Sequence, residues 1–138
     1  MAVYRQAPME RYLTPFIFTL FAVVAVVLLV AMVRGDGPPA WFGVLWLAAL
    51  GWNAYWWLLR ICTEVEVDSD TLRWRAPLRR GSAPMSAVRV VRPFLLDSRT
   101  ARIELDGAPT LYVPVRYGFA GLIADLRAAA PHADIRLA

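Results

Sequence analysis

The chain has 138 residues, room for one modest domain or for a smaller one with membrane segments. Its apolar fraction of 59% exceeds the roughly 45–50% usual in soluble domains, which argues against an ordinary soluble protein. Net charge is +4, every basic residue is an arginine, and a single cysteine excludes an intrachain disulfide.

The apolar excess is concentrated in two runs. Thr14–Val33 carries no charge, and Ala40–Leu59 carries none either, with Asn53 its most polar member. As helices rising 1.5 Å per residue, each spans about 30 Å, the hydrocarbon thickness of a bilayer. The first run is longer than the roughly 7–15 apolar residues of a signal peptide, and it ends in Met32-Val33-Arg34 without a small-x-small site. A cleaved leader is therefore not expected. RGDGPP, residues 34–39, is a tight turn of helix breakers, so the two helices form an antiparallel hairpin with both ends on one side.

Arginines orient the hairpin. Arg5 and Arg11 precede it, Arg60, Arg73, Arg75, Arg79 and Arg80 follow it, and the loop has only Arg34. The positive-inside bias places both termini in the cytoplasm, with the hairpin in the plasma (inner) membrane. Trp41 at one end of the second helix and Trp56-Trp57 at the other suit interfacial belts. Residues 1–60 are thus expected as a cytoplasmic N-terminus plus hairpin, with helices at about 14–33 and 40–59, and residues 61–138 as a cytoplasmic domain. Asn53 reads as a helix-packing residue. Cys62 reads as a small buried residue; no neighbour marks it as an activated or lipidated thiol.

Beyond residue 60 the period changes to two. Ile61, Val65 and Val67 alternate with Glu64 and Glu66; after the turn cluster DSDT, Leu72, Trp74 and Ala76 alternate with Arg73 and Arg75. A hairpin closed by DSDT sets Val67 opposite Leu72 and Val65 opposite Trp74 on the inner face. The same register sets Glu66 opposite Arg73 and Glu64 opposite Arg75 on the outer face, where each pair contributes about 0.2–1 kcal/mol. Arg79 and Arg80 fall in a loop after Pro77. Residues 83–97 suit one or two short strands interrupted at Pro93. RTARIEL and LYVPV flank DGAPT as a second hairpin. An odd loop of three or five residues brings Ile103, Leu105, Leu111, Val113 and Val115 to one face, whereas a two-residue Asp106-Gly107 turn splits them. Phe119, Leu122, Ile123 and Leu126 then stand at i, i+3, i+4 and i+7, an amphipathic helix ended by Pro131.

Two apolar helices, VEVDSDTLRWRAPLRRG, a short apolar stretch, a DG hairpin and a closing helix together resemble small bacterial membrane proteins with a PH-like domain. That resemblance runs over essentially the whole chain. It implies a fold: an α+β, mainly β cytoplasmic domain, an antiparallel sandwich capped by one C-terminal helix. The first turn is acidic DSDT where phosphoinositide-binding PH domains carry basic residues.

Catalytic and metal chemistry has little to stand on. The single histidine, His132, follows a helix-ending proline among alanines, whereas metal sites and acid–base pairs need several converging polar groups. Glu64, Glu66, Asp68 and Asp70 read as a solvated hairpin rather than a calcium loop. No phosphate-binding glycine loop, GxSxG or cysteine pair occurs. No enzymatic activity, metal or cofactor is expected.

Charge is informative by segment. Residues 77–102 hold Arg79, Arg80, Arg89, Arg92, Arg99 and Arg102 against Asp97 alone. Nucleic acid is not the expected partner, because stacking aromatics are absent there except Phe94. A tethered bilayer is nearer, and each arginine close to an anionic surface is worth about 1 kcal/mol. The expected function is a non-enzymatic, membrane-anchored PH-like interaction module that binds a membrane-protein partner, anionic lipid headgroups or both. Arg79, Arg80, Arg89 and Arg92 are the candidate contacts, and self-association is left open. The alternative is an accessory subunit of a larger integral-membrane complex, with the helix hairpin as its main interface.

Overall fold

The computed structural model describes residues 2–94 and 97–137. The chain divides into two compact units, Ala7–Trp57 and a second formed by Met1–Gln6 with Leu58–Ala138.

The first unit holds α1 (Pro8–Arg34) and α2 (Ala40–Tyr55). α1 begins at Pro8 rather than Thr14. Glu10 and Arg11 interrupt the apolar run but not the helix, and a proline in the first turn lacks only an N–H that would have no helical partner. Gly35, at φ 83°, ends it: its N–H donates to the Met32 carbonyl and that of Asp36 to the Ala31 carbonyl. This 5→2 and 6→1 pattern is a Schellman cap. The helices pack antiparallel, with the Phe21 and Trp46 rings 5.5 Å apart. Gly43 makes room for the Met32 thioether, since a Cβ there would stand 2.8 Å from its sulfur. Asn53 donates to the Ala49 carbonyl of its own helix, 2.8 Å away, and not to the other helix. Tyr12–Arg34 and Ala40–Arg60 are each long and apolar enough to cross a membrane. α2 widens into a π-type turn over Trp56–Arg60.

The second unit packs two four-stranded sheets. The first has the order β1 (Ala2–Arg5), β2 (Glu64–Val67), β3 (Thr71–Ala76), β4 (Arg79–Pro84), antiparallel throughout. The second has the order β7 (Leu111–Pro114), β6 (Asp97–Leu105), β5 (Val88–Phe94), β8 (Asp134–Ile135), with β8 parallel to β5. Between them lies one apolar core with Val65, Leu72 and Trp74 from the first sheet and Val88, Val91, Ile103 and Val113 from the second. α3 (Phe119–Ala129) packs against β1 and β2, burying Phe119, Leu122, Ile123 and Leu126, the face its periodicity marks.

The β2–β3 register matches the alternation residue for residue: Val67 faces Leu72, Glu66 faces Arg73, Val65 faces Trp74 and Glu64 faces Arg75. The β6–β7 loop has five residues, Asp106 to Thr110, with Gly107 at φ 69°, and Ile103, Leu105, Leu111 and Val113 are buried together. Three expectations need correction. The N-terminal segment is a strand and not only a tail. β1 pairs with β2, and Tyr4 is buried, with its hydroxyl donating to the Pro114 carbonyl at 2.5 Å and its ring edge-on to Phe119. A domain division at residue 60 therefore omits one strand. Pro93 does not end β5, although the register shifts directly after it, from Pro93 opposite Ala101 to Phe94 opposite Asp97; β8 ends at Ile135 opposite Val91, so no neighbour asks for the missing N–H. Arg79 and Arg80 open β4 after a two-residue Pro77-Leu78 turn and do not lie in a loop. Residues 95 and 96 of the apolar stretch lie outside the described residues.

Candidate functional site

Residues directly opposite one another in an antiparallel pair share a face. On the outer face of the first sheet this places Arg5, Glu64, Arg75 and Arg80 in one cross-strand row, and Val3, Glu66, Arg73 and Ser82 in the next. An open groove of about 460 Å³ runs over these rows, lined by Glu64, Glu66, Arg73, Arg75, Arg80 and Ser82, with Trp74 and Gly81 as its floor. The floor depends on glycine. A Cβ at Gly81 would lie 2.5 Å from Cζ2 of Trp74, whose indole fills that space from the core side.

The charges on this face are unevenly matched. Glu64 is opposite Arg75, yet its Oε1 accepts from Nη2 of Arg5 at 2.7 Å. Among the described residues, no ion pair joins Arg73, Arg75 or Arg80 to a carboxylate. The expected Glu64–Arg75 and Glu66–Arg73 pairs thus have the right register without the contact. Arg75 and Arg80 face each other directly across β3 and β4. Like charges so placed repel and destabilise a strand pair.

A second arginine pair provides a reference. On the other sheet Arg92 faces Arg102. There Oε1 of Glu104 accepts from Nη2 of Arg92 at 2.7 Å and lies 3.1 Å from Nε of Arg102, the latter an ion pair without hydrogen-bond alignment. One carboxylate contacts both guanidiniums and offsets part of their charge. The Arg75–Arg80 pair has the same cross-strand placement and no such carboxylate.

The four arginines marked from sequence do not form one site. Arg80 joins Arg73 and Arg75 on the groove. Arg79, opposite Ala76, lies with Cys62, Trp74 and Leu111 around a very small internal cavity. Arg89 occupies the bulge between Val88 and Val90, with an exposed ion pair to Asp106 at 3.0 Å, and Arg92 is engaged with Glu104. Sequence reading missed Arg73, Arg75 and Ser82, because it assigned the first two to glutamates. The signal was the Pro77-Leu78 turn: joining β3 to β4 through two residues sets Arg75 opposite Arg80.

Cys62 is buried, and burial pushes its thiol up to about 12, against smaller opposing effects of a backbone hydrogen bond at Tyr112 and the Arg79 and Arg60 charges. At neutral pH it is an inert packing residue. No cluster of three or more His, Cys, Asp or Glu side chains able to hold a metal occurs among the described residues. No protein-family model, curated protein or solved structure matches the chain.

Proposed function

We propose that the chain is a non-enzymatic, membrane-anchored interaction module: a PH-like sandwich carried by a two-helix hairpin at the inner leaflet, with both termini cytoplasmic. Its ligand is an anionic group, a carboxylate of a membrane-protein partner or the phosphate of a lipid headgroup. Arg75 and Arg80 receive it, with Arg73 and the Ser82 hydroxyl beside them. The observation that carries this reading is the contrast between the two arginine pairs, one clamped by Glu104 and the other open on a groove. Guanidinium groups suit the role because their planar donors meet carboxylate and phosphate oxygens two at a time.

A second reading rests on the hairpin. Its helices carry exposed Phe16, Phe21, Trp41 and Trp52, which suit lipid or the helices of a larger complex. Purification in mild detergent separates the two. If the groove is the interface, replacing Arg73, Arg75 and Arg80 by alanine releases the co-purifying partner or the retained anionic lipid. If the hairpin is the interface, the triple variant keeps its partner.

A further inference from the structure

The π-type turn Trp56–Arg60 ends the second candidate span, and its carbonyls face a problem common to all helix ends: no residue of the next turn remains to donate to them. In hydrocarbon an unpaired carbonyl costs several kcal/mol. Here the backbone N–H of Leu78 donates to the Leu58 carbonyl at 3.0 Å. The bond fastens the Pro77-Leu78 turn, between β3 and β4, to a residue only two positions from the end of the span. At about 1.5 Å per residue that is roughly 3 Å along the helix axis. Leu78 itself is 70% exposed, the residue between Pro77 and the two arginines Arg79 and Arg80.

The strands running from this turn are electrically polar. β3 spans six residues, roughly 17–20 Å, and its far end is the turn carrying Asp68 and Asp70. The near end carries Arg79 and Arg80, with Arg60 closing the helix. Base thus lies at the end of these strands that is bonded to Leu58, and acid at the opposite end, the polarity an anionic headgroup layer favours.

We infer that the Pro77-Leu78 turn is a membrane-contacting tip: the Leu78 side chain enters the acyl boundary of the leaflet from which Ala40–Arg60 emerges, and Arg79 and Arg80 stay at headgroup level. This goes beyond the groove proposal and is independent of it, resting only on Ala40–Arg60 being a span. An exposed leucine followed by two arginines suits such a boundary, where lipid removes the exposed apolar surface and receives the guanidiniums. Leu78 then fixes how deep the near end of the sandwich sits.

The test uses the full chain in lipid vesicles, with an environment-sensitive fluorophore on Leu78→Cys or, at the far end of the same strands, on Ser69→Cys. The native Cys62 can remain, since it is buried and its thiol is held protonated. Lipids bearing a nitroxide on the acyl chain quench the label at position 78 and leave the label at 69 unchanged. Equal quenching at both positions, or none at 78, overturns the proposal. Alkaline extraction run in parallel tells which premise failed: a chain that washes off removes the span and the tip together. A chain that stays embedded with an unquenched position 78 removes the tip alone, and the groove reading is judged separately by the triple arginine variant.

Discussion

Arg92–Arg102 and Arg75–Arg80 are the same arrangement in two sheets, two guanidiniums directly opposed on neighbouring strands, with opposite outcomes. In the second sheet β6 supplies Glu104 two residues from Arg102, on the same face, so one carboxylate bridges the pair from within. In the first sheet β2 supplies Glu64 next to Arg75, but β1 brings Arg5 to it from the other side. A four-residue N-terminal strand therefore diverts the acid that would have silenced the groove. Whether an arginine pair is engaged by a carboxylate or left open depends on which neighbouring strand reaches the nearest acid first.

The strongest way to break the comparison is to remove the core that displays both pairs. Trp74→Ala should cost about 3–5 kcal/mol, because a buried indole spanning β3 and β4 leaves a cavity. Gly81→Val should cost about 1–3 kcal/mol by driving a side chain into that indole. Protease resistance and denaturant unfolding of the sandwich in detergent measure both.

Alkaline pH acts on the side of β4 that faces away from the groove, where Arg79 and Cys62 sit. The folded thiol titrates near 12 and the unfolded one near 9.0. Between those values the unfolded chain loses a proton that the native chain keeps, so stability falls as pH rises through the window, at about 1.4 kcal/mol per unit. Below pH 9 the contribution is constant. Cys62→Ala should flatten the difference in melting temperature between pH 8 and pH 11, whatever its effect at neutral pH; an unchanged slope would show the thiol is accessible.

Glu104→Gln should convert the clamped pair into an open one, at a cost of about 1 kcal/mol because all three side chains remain partly solvated. The reverse exchange, Arg80→Glu, places a carboxylate opposite Arg75 and should stabilise by about 0.2–1 kcal/mol while abolishing anion binding. Arg5→Ala is the mildest. It removes an exposed ion pair worth under about 1 kcal/mol, returns Glu64 to Arg75 and should weaken anion binding without replacing any residue that lines the groove. A double-mutant cycle should accordingly find coupling between Arg5 and Glu64 and little between Glu64 and Arg75.

Much of the sandwich was legible because its signals are local. Alternation of Val65, Val67, Leu72 and Trp74 pinned the first register, since a one-residue slip would turn every apolar side chain to water. Parity set the odd loop after Leu105, and the 3.6-residue period found the buried face of α3. What escaped depends on distant partners. AVYR shows no strand pattern, and its pairing with β2 lies some 60 residues away in sequence. Two-residue β8 is shorter than any period. The pairing of Arg75 was misread for the same reason: its register with Glu64 was correct, but the competitor for Glu64 came from that unseen first strand.

The central claim is that Arg75 and Arg80 form an unneutralised pair that takes an external anion, and thermal unfolding of the full chain in uncharged detergent tests it most directly. Inorganic phosphate compared with chloride at equal ionic strength should raise the melting temperature of the wild type and of Glu104→Gln. It should raise that of Arg75→Ala with Arg80→Ala by less, since only the general effect of an excluded anion remains there, whereas a ligand that binds the folded state adds stability by mass action. An equal response to phosphate in the wild type and the double variant would contradict the account.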